Sequence, residues 1–483
     1  MQTQLIIDNA ARPASNGATF ERRHPLSGEL ITTGAAATVE DAVAIAESSS
    51  SAFTAWSVSG PSTRRAILLK TADLLETKVQ EFSEVMAKEV GASELWAGFN
   101  VMASASLLRE AAGLTTQIQG ETLPTDKPGT VSMTMRQAAG VVLSIVPWNG
   151  PVLLGARAIA YPLACGNPVI FKGSENSPRT HELLASCFLE AGLPAGVLNF
   201  ITAAPADAGA VTEALIAHPA VRRVNFTGST HVGRIIAETS ARYLKRSLLE
   251  LGGKAPFVVL DDADLEGAVN AAVFGAFLYQ GQICMSTERF VVDEQIADEF
   301  VRRFAERANA LLASDPREAP NCVVGPMIDA RSGERLNHML EDAVSKGAVV
   351  VTGGEADGAR MPATIVDYVK PGMILYGEET FGPVTTIVRV KGDEEAIRVA
   401  NDTEYGLSSA VFSNNLTRAM AAASRIQAGC VHINGATVQN EPQAPYGGMK
   451  NSGYGRFDGR AVIEEFTEIK WVTLEDPRQA YPF

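Results

Sequence analysis

The sequence has no run of basic residues: its 41 Lys and Arg are scattered and outnumbered by 55 Asp and Glu, for a formal charge of −14. Without a local basic patch, so acidic a chain repels phosphate backbones and anionic membrane surfaces, which argues against nucleic acid as a partner. No stretch approaches the roughly 18 apolar residues of a membrane helix. The opening MQTQLIIDNA lacks a basic start, a long apolar core and a small-residue cleavage site, so a signal peptide is not expected there. Cysteines stand alone at 165, 187, 284, 322 and 430, with no CxxC pair. That sparse, odd set argues against a disulfide framework and for a reducing compartment, and the expected location is cytoplasmic. The six histidines are equally dispersed, so no metal site is expected. The GxGxxG dinucleotide fingerprint is also missing.

What the chain does have is length and alternation. Its 483 residues exceed one ordinary core, and 46% hydrophobic with 20% charged residues suits a packed enzyme-sized protein rather than a disordered one. Apolar runs at 141–147, 168–172, 197–202, 221–227 and 247–251 alternate with helical patterns at 153–164, 179–191, 206–217 and 231–241. Such alternation predicts a parallel sheet covered on both faces, and an α/β fold. A long helical period spans 62–90. A second alternating region runs through strands at 255–260, 349–352 and 384–390, with helices over 264–279, capped by Asp264, and 294–313. Residues 120–137 form a turn-punctuated arm, and 469–474 alternate like a strand; extended arms of this kind often pair with another subunit.

Three local signals carry chemistry. Cys284 follows a helical stretch in Gln280-Gly281-Gln282-Ile283-Cys284, where a flexible backbone can present sulfur to a carbonyl carbon. The default for a cysteine is a small buried hydrophobe, and Cys165, Cys187, Cys322 and Cys430 are left at that default. Glu250 closes an apolar strand and is followed by Gly252-Gly253-Lys254; a buried carboxyl there has its pKa raised toward that of a general base. Strand-end turns supply the third signal: Pro147-Trp148-Asn149, Lys172-Gly173-Ser174-Glu175 and Thr227-Gly228-Ser229 with Gly233. Parallel sheets bind ligands at such ends, an Asn amide can stabilise an oxyanion, and a Gly-Ser turn before a helix suits phosphate.

Taken together, PWN at 147–149, KGSE at 172–175, FTGS at 226–229, LELGGK at 249–254, GQIC at 281–284, EETFGPV at 378–384 and NDTEYGLS at 401–408 closely resemble the large, non-phosphorylating NAD(P)-dependent aldehyde dehydrogenases, from about residue 20 to the C-terminus. The resemblance implies an aldehyde dehydrogenase-like fold: a Rossmann-like NAD-binding domain at 1–118 and 139–251, a catalytic α/β domain at 252–430, and an oligomerisation arm at 119–138 and 460–483. It implies that Cys284 is the nucleophile and Glu250 the general base, with Asn149 and the Cys284 N–H as oxyanion hole. Lys172 and Glu175 would hold the adenosine ribose, and Trp148, Gly228, Ser229 and Gly233 would line the pyrophosphate cleft. Glu379 would hold the nicotinamide ribose beside Phe381. Gly173 departs from the family, where many members carry Pro. A carboxylate at 175 would repel a 2′-phosphate, which favours NAD over NADP.

Within the family, the stretches GASELWAGFN at 91–100, TQIQG at 116–120, CMSTER at 284–289, YGRFDGR at 454–460 and the tail 470–483 resemble bacterial salicylaldehyde dehydrogenases most, and vanillin and benzaldehyde dehydrogenases next. The expected substrate is therefore an aromatic aldehyde, held in an apolar slot walled by Trp96, Phe99, Met102, Leu153, Tyr279, Ile283 and Tyr446. Arg157 either reads a ring hydroxyl or makes a structural ion pair. The expected assembly is a homodimer or homotetramer. Rival readings are a CoA-acylating dehydrogenase, which would not need Glu250, a thiol esterase, and a non-catalytic protein on the same scaffold.

Overall fold

Apolar strands separated by amphipathic helices must be buried on both faces, and the chain solves this twice. The computed structural model describes all 483 residues. Its larger sheet has eight strands in the order Gly453–Tyr454, Arg246–Glu250, Val221–Thr227, Val141–Ile145, Val169–Lys172, Leu198–Ile201, Leu5–Ile7 and Ala10–Arg12. The middle five are parallel. The chain steps outward from Val141–Ile145 through Val169–Lys172 to Leu198–Ile201, then returns to the other side for Val221–Thr227 and Arg246–Glu250. That reversal opens a crevice at the carboxyl ends of Val141–Ile145 and Val221–Thr227, where α/β sheets take their ligands.

The second sheet orders Val349–Thr352, Thr364–Asp367, Val384–Val390, Thr287–Asp293, Ala255–Val259, Ser408–Phe412 and Cys430–Ile433; only Val349–Thr352 is antiparallel to its neighbour. Thr467–Leu474 pairs antiparallel with Val131–Ala138, residue 467 opposite 138 and 474 opposite 131, and Thr122–Leu123 completes this small sheet. Gln2–Thr3, Leu30–Ala35 and Thr19–Arg23 form another.

The helical period over 62–90 resolves into two helices, Pro61–Thr77 and Val79–Val90, broken at Lys78. Asp264 caps its helix as expected, accepting from the Glu266 and Gly267 N–H groups, but the helix Leu265–Phe277 stops short of 279. Tyr279 and Gln280 turn left-handed (φ 49° and 44°), which ends the α-helix and starts the turn that carries Cys284. The strand expected to reach 147 ends at Ile145, before Pro147 and the Asn149 turn. No helix is long and apolar enough to cross a membrane.

Candidate active site

Two adjoining cavities open at the strand ends. One, of about 630 Å³, is lined by Lys172, Ser174, Glu175, Gly228, Ser229 and the apolar face of helix Thr230–Arg242 at Val232 and Ile235. The other, of about 290 Å³, gathers Asn149, Glu250, Cys284, Glu379 and Phe381. They share Pro147, Trp148, Thr227, Gly228 and Ser229, so a long ligand can occupy both. Ser229 caps helix Thr230–Arg242, accepting from the Val232 N–H at 3.3 Å, which sets the positive end of that helix at the cavity wall. Lys172 ends its strand buried, its ammonium pushed below the usual lysine range by burial and partly restored by Glu175. Gly233 lines neither cavity: a Cβ there would meet Leu251 at 2.4 Å, so it permits close packing of helix on strand.

The turn that carries Cys284 is pinned from both sides. Gln280 donates to the Pro326 carbonyl (2.6 Å) and accepts from the Gly325 N–H, and Gln282 accepts from the Ile328 N–H (2.9 Å). Gly281 (φ 70°) lies so close to the Gly382 carbonyl that a Cβ would sit 2.2 Å from its oxygen. Asn149 donates one side-chain N–H to the Gln282 carbonyl at 3.0 Å, and its own carbonyl accepts from the Trp96 indole at 2.8 Å. The second Asn149 N–H and the Cys284 backbone N–H have no acceptor in the chain. Cys284 is half-buried, with the Tyr446 hydroxyl 3.4 Å from its sulfur. Burial pushes its thiol up to about 11; Tyr446 opposes the rise, and Glu250 and Glu379 add to it.

Glu250 is 3% exposed, and neither carboxylate oxygen has a hydrogen-bond partner. Burial holds its carboxyl well above the usual carboxylate range, while Arg157 and Arg456 pull the other way. Buried polar atoms are nearly always paired, and a lone carboxyl with a raised pKa in a cleft is a mark of function. Glycines behind it bring other backbone close. A Cβ at Gly252 would lie 2.4 Å from a Glu379 carboxylate oxygen, and one at Gly253 would lie 2.4 Å from the Cys284 carbonyl oxygen.

Glu379 accepts from the Gly253 N–H (2.8 Å); burial and the nearby Glu288 carboxylate push it up to about 8. Its loop is fastened by groups far away in sequence. Glu288, paired in the interior with Lys254 at 2.8 Å, accepts from the Thr380 and Phe381 N–H groups, and Arg335 donates to the Glu379 and Thr380 carbonyls. Phe381 meets the Trp148 ring edge-on, centroids 5.8 Å apart.

A family model described as aldehyde dehydrogenase family matches residues 12–472. The chain belongs to the aldehyde dehydrogenase family. It is 60% identical over 483 residues to a salicylaldehyde dehydrogenase of Pseudomonas putida, with both chains covered completely. To a vanillin dehydrogenase of Pseudomonas fluorescens it is 53% identical over 482 residues, again across the full length of both. The crystal structure of a salicylaldehyde dehydrogenase from Pseudomonas putida G7 complexed with salicylaldehyde superposes with a TM-score of 0.99 at 61% identity, covering both chains completely.

The aromatic candidates of this aldehyde dehydrogenase lie outside the 290 Å³ cavity. Trp96 stacks between Tyr279 (5.0 Å) and Phe99 (5.5 Å). Leu153, Tyr279 and Ile283 are buried in the same core as Trp96, whereas Phe99 and Met102 are exposed. Leu154, one helical step from Leu153 and so turned about 100° away, lines the cavity instead. Arg157 is buried, paired with Asp458 at 2.9 Å, bonded to Asn440 and stacked over the Tyr446 ring at 4.5 Å. Sequence reasoning missed Leu154 and Arg335 at the cavity and Glu288 beneath it, and named Leu251 and Gly252 only as part of the LELGGK motif. Only the charge of Arg335 and Glu288 was visible, without any clue to its partner.

Proposed function

We propose that the enzyme oxidises an aromatic aldehyde, salicylaldehyde foremost, to its carboxylic acid with NAD as acceptor. The observation that carries this reading is the convergence of a half-buried thiol, unengaged N–H donors and an unpaired buried carboxyl on one cavity that adjoins the strand-end crevice. The full-length similarity to salicylaldehyde dehydrogenase supports the substrate.

Cys284 attacks the aldehyde carbon as its thiolate. The negative oxygen that forms is met by the free Asn149 N–H and the Cys284 N–H; such a donor contributes about 3 kcal/mol to lowering a barrier. Lys172, Glu175, Ser229 and Glu379 would hold NAD, which when bound would supply the acceptor for the hydride that the tetrahedral adduct expels. Cys284 is left as a thioester, and Glu250 takes a proton from the water that hydrolyses it. Burial gives Glu250 the proton affinity this needs. Its presence disfavours transfer to CoA, and the cofactor cavity makes plain esterase chemistry at most a side activity. Glu175 supports NAD over NADP. The division into a cofactor domain (1–118, 139–251), a catalytic domain (252–430) and an arm (119–138, 460–483) follows from the same reading. Exposed apolar residues stand on both faces of the arm's sheet, Val131, Met135 and Leu474 on one and Ile469 and Trp471 on the other, which supports assembly as a homodimer or homotetramer. The unpaired cysteines support a cytoplasmic setting.

The test is NADH formation with salicylaldehyde, vanillin and a short aliphatic aldehyde, each with and without CoA. The expected result is a higher kcat/KM for salicylaldehyde, indifferent to CoA. Preference for the aliphatic substrate, or a requirement for CoA, overturns the reading.

A further inference from the structure

Tyr446 does more than an apolar wall requires. Phenylalanine would offer the same ring, yet this side chain carries a hydroxyl into an enclosed site, and buried hydroxyls need a partner. The partner is the nucleophile's sulfur, 3.4 Å away. Everything else about Tyr446 fixes its aim. Its backbone N–H and carbonyl both pair with Phe457 at 2.8 Å, an isolated antiparallel bridge. The Arg157 guanidinium lies over its ring, and Arg157 is itself held by Asp458 and Asn440. The ring is thus clamped from the backbone side and from one face, leaving its hydroxyl directed at Cys284.

We propose that the Tyr446 hydroxyl is a catalytic hydrogen-bond donor to the Cys284 sulfur, stabilising the thiolate when it attacks the aldehyde and again when it leaves the thioester. This rests on the reading of Cys284 as nucleophile. One donor serves both steps because the same sulfur bears the negative charge before it attacks and regains it as it leaves.

The surroundings agree on where the proton stays. The charged or titratable groups facing Cys284 are Tyr446, Glu250, Glu379 and Arg157; those facing Tyr446 are Cys284, Glu250 and Arg157. Burial, then Cys284 and Glu250, hold the phenol well above its ordinary value, so oxygen keeps its proton and sulfur ionises. Arg157 has its charge engaged with Asp458, leaving Tyr446 as the neutral donor within reach.

The experiment is alkylation of the substrate-free enzyme by iodoacetamide across pH, with the modified cysteine identified by peptide mass because Cys430 is also half-buried. It uses neither aldehyde nor NAD, so it stands or falls separately from the assigned substrate. Tyr446→Phe is expected to raise the Cys284 midpoint by about one to two pH units, with roughly ten- to hundred-fold slower alkylation at pH 8. The aldehyde kcat falls while its KM stays within about two-fold. An unchanged alkylation profile with a raised KM makes Tyr446 a wall and overturns the proposal. A fluorinated tyrosine introduced at 446 keeps the contact and sharpens the donor, and covers the case in which Tyr446→Phe folds poorly. Its expected effect is a lower midpoint, and an unmoved midpoint refutes the donor role.

Discussion

Replacing Glu250 by Gln preserves size and removes ionisation, so it separates chemistry from packing. The proposed base acts only after hydride has left. With Glu250→Gln, rapid mixing with NAD and salicylaldehyde should give a burst of about one NADH per site. Steady turnover should then be slower by about 10²- to 10⁴-fold, the usual contribution of a positioned base. Intact-protein mass spectrometry should show an acyl group on Cys284. Stability supplies a second readout with a definite sign. Both Glu250 oxygens lack partners, and burial raises the carboxyl well above its ordinary 4.5. Below that value both folded and unfolded chains hold the proton. Above it the unfolded chain ionises first, the folded one binds more protons, and stability drops as pH rises toward the raised pKa. Glu250→Gln is spared that loss. By thermal melting at pH 8 it should equal or exceed the unaltered enzyme, with the difference fading toward pH 4.5. Loss of the NADH burst, or a variant clearly less stable at pH 8, would refute the reasoning. The first outcome would make Glu250 act before the thioester; the second would mean that its carboxylate is satisfied in the fold.

Other consequences can be checked as directly. Asn149→Ala should lower kcat about 10²- to 10³-fold, the cost of one oxyanion donor, with a smaller effect on aldehyde KM in steady-state assays. Arg157→Ala leaves Asp458 buried without its partner and should cost about 3–5 kcal/mol by denaturant unfolding. If Arg157 also reads a ring hydroxyl, the ratio of salicylaldehyde to benzaldehyde turnover will change; an unaltered ratio assigns it to structure alone. Glu175→Ala should move the NAD-to-NADP ratio of kcat/KM toward NADP, and an unmoved ratio removes the carboxylate from cofactor choice.

The parallel strands of the larger sheet were legible as apolar runs between helical patterns, whereas Thr287–Asp293, Thr364–Asp367, Ser408–Phe412 and Cys430–Ile433 of the second sheet were not picked out. Val221–Thr227 and Val384–Val390 lie where the pattern put them. Cys284, Glu250 and Asn149 drew attention because each lies at or just past the end of a regular element and within three residues of glycine or proline, but the roles proposed for them came from the family resemblance. Less was visible where neighbours are distant in sequence. Leu5–Ile7 and Ala10–Arg12 extend a sheet whose next strand is Leu198–Ile201, a pairing no local pattern announces. Arg335 looked like any charge on an amphipathic helix, although its guanidinium fastens the Glu379 loop. Glu288 sits in a strand of mixed character, Thr287–Asp293, that the pattern did not announce, and its worth depends on meeting Lys254 and two N–H groups 92 and 93 residues further along. Gly233 is the opposite case: its place in the helix that follows the Gly228-Ser229 turn suggested contact with a ligand, whereas its missing side chain makes room for Leu251.

The indole of Trp96 donates to the backbone carbonyl of Asn149, which ties the aromatic stack packed behind the cavity to the residue that carries the proposed oxyanion donor. Trimming Trp96 to make room beside the cavity would also release the carbonyl that steadies the proposed donor. Redesign toward bulkier aldehydes would therefore slow small ones as well, unless a new donor replaces the indole.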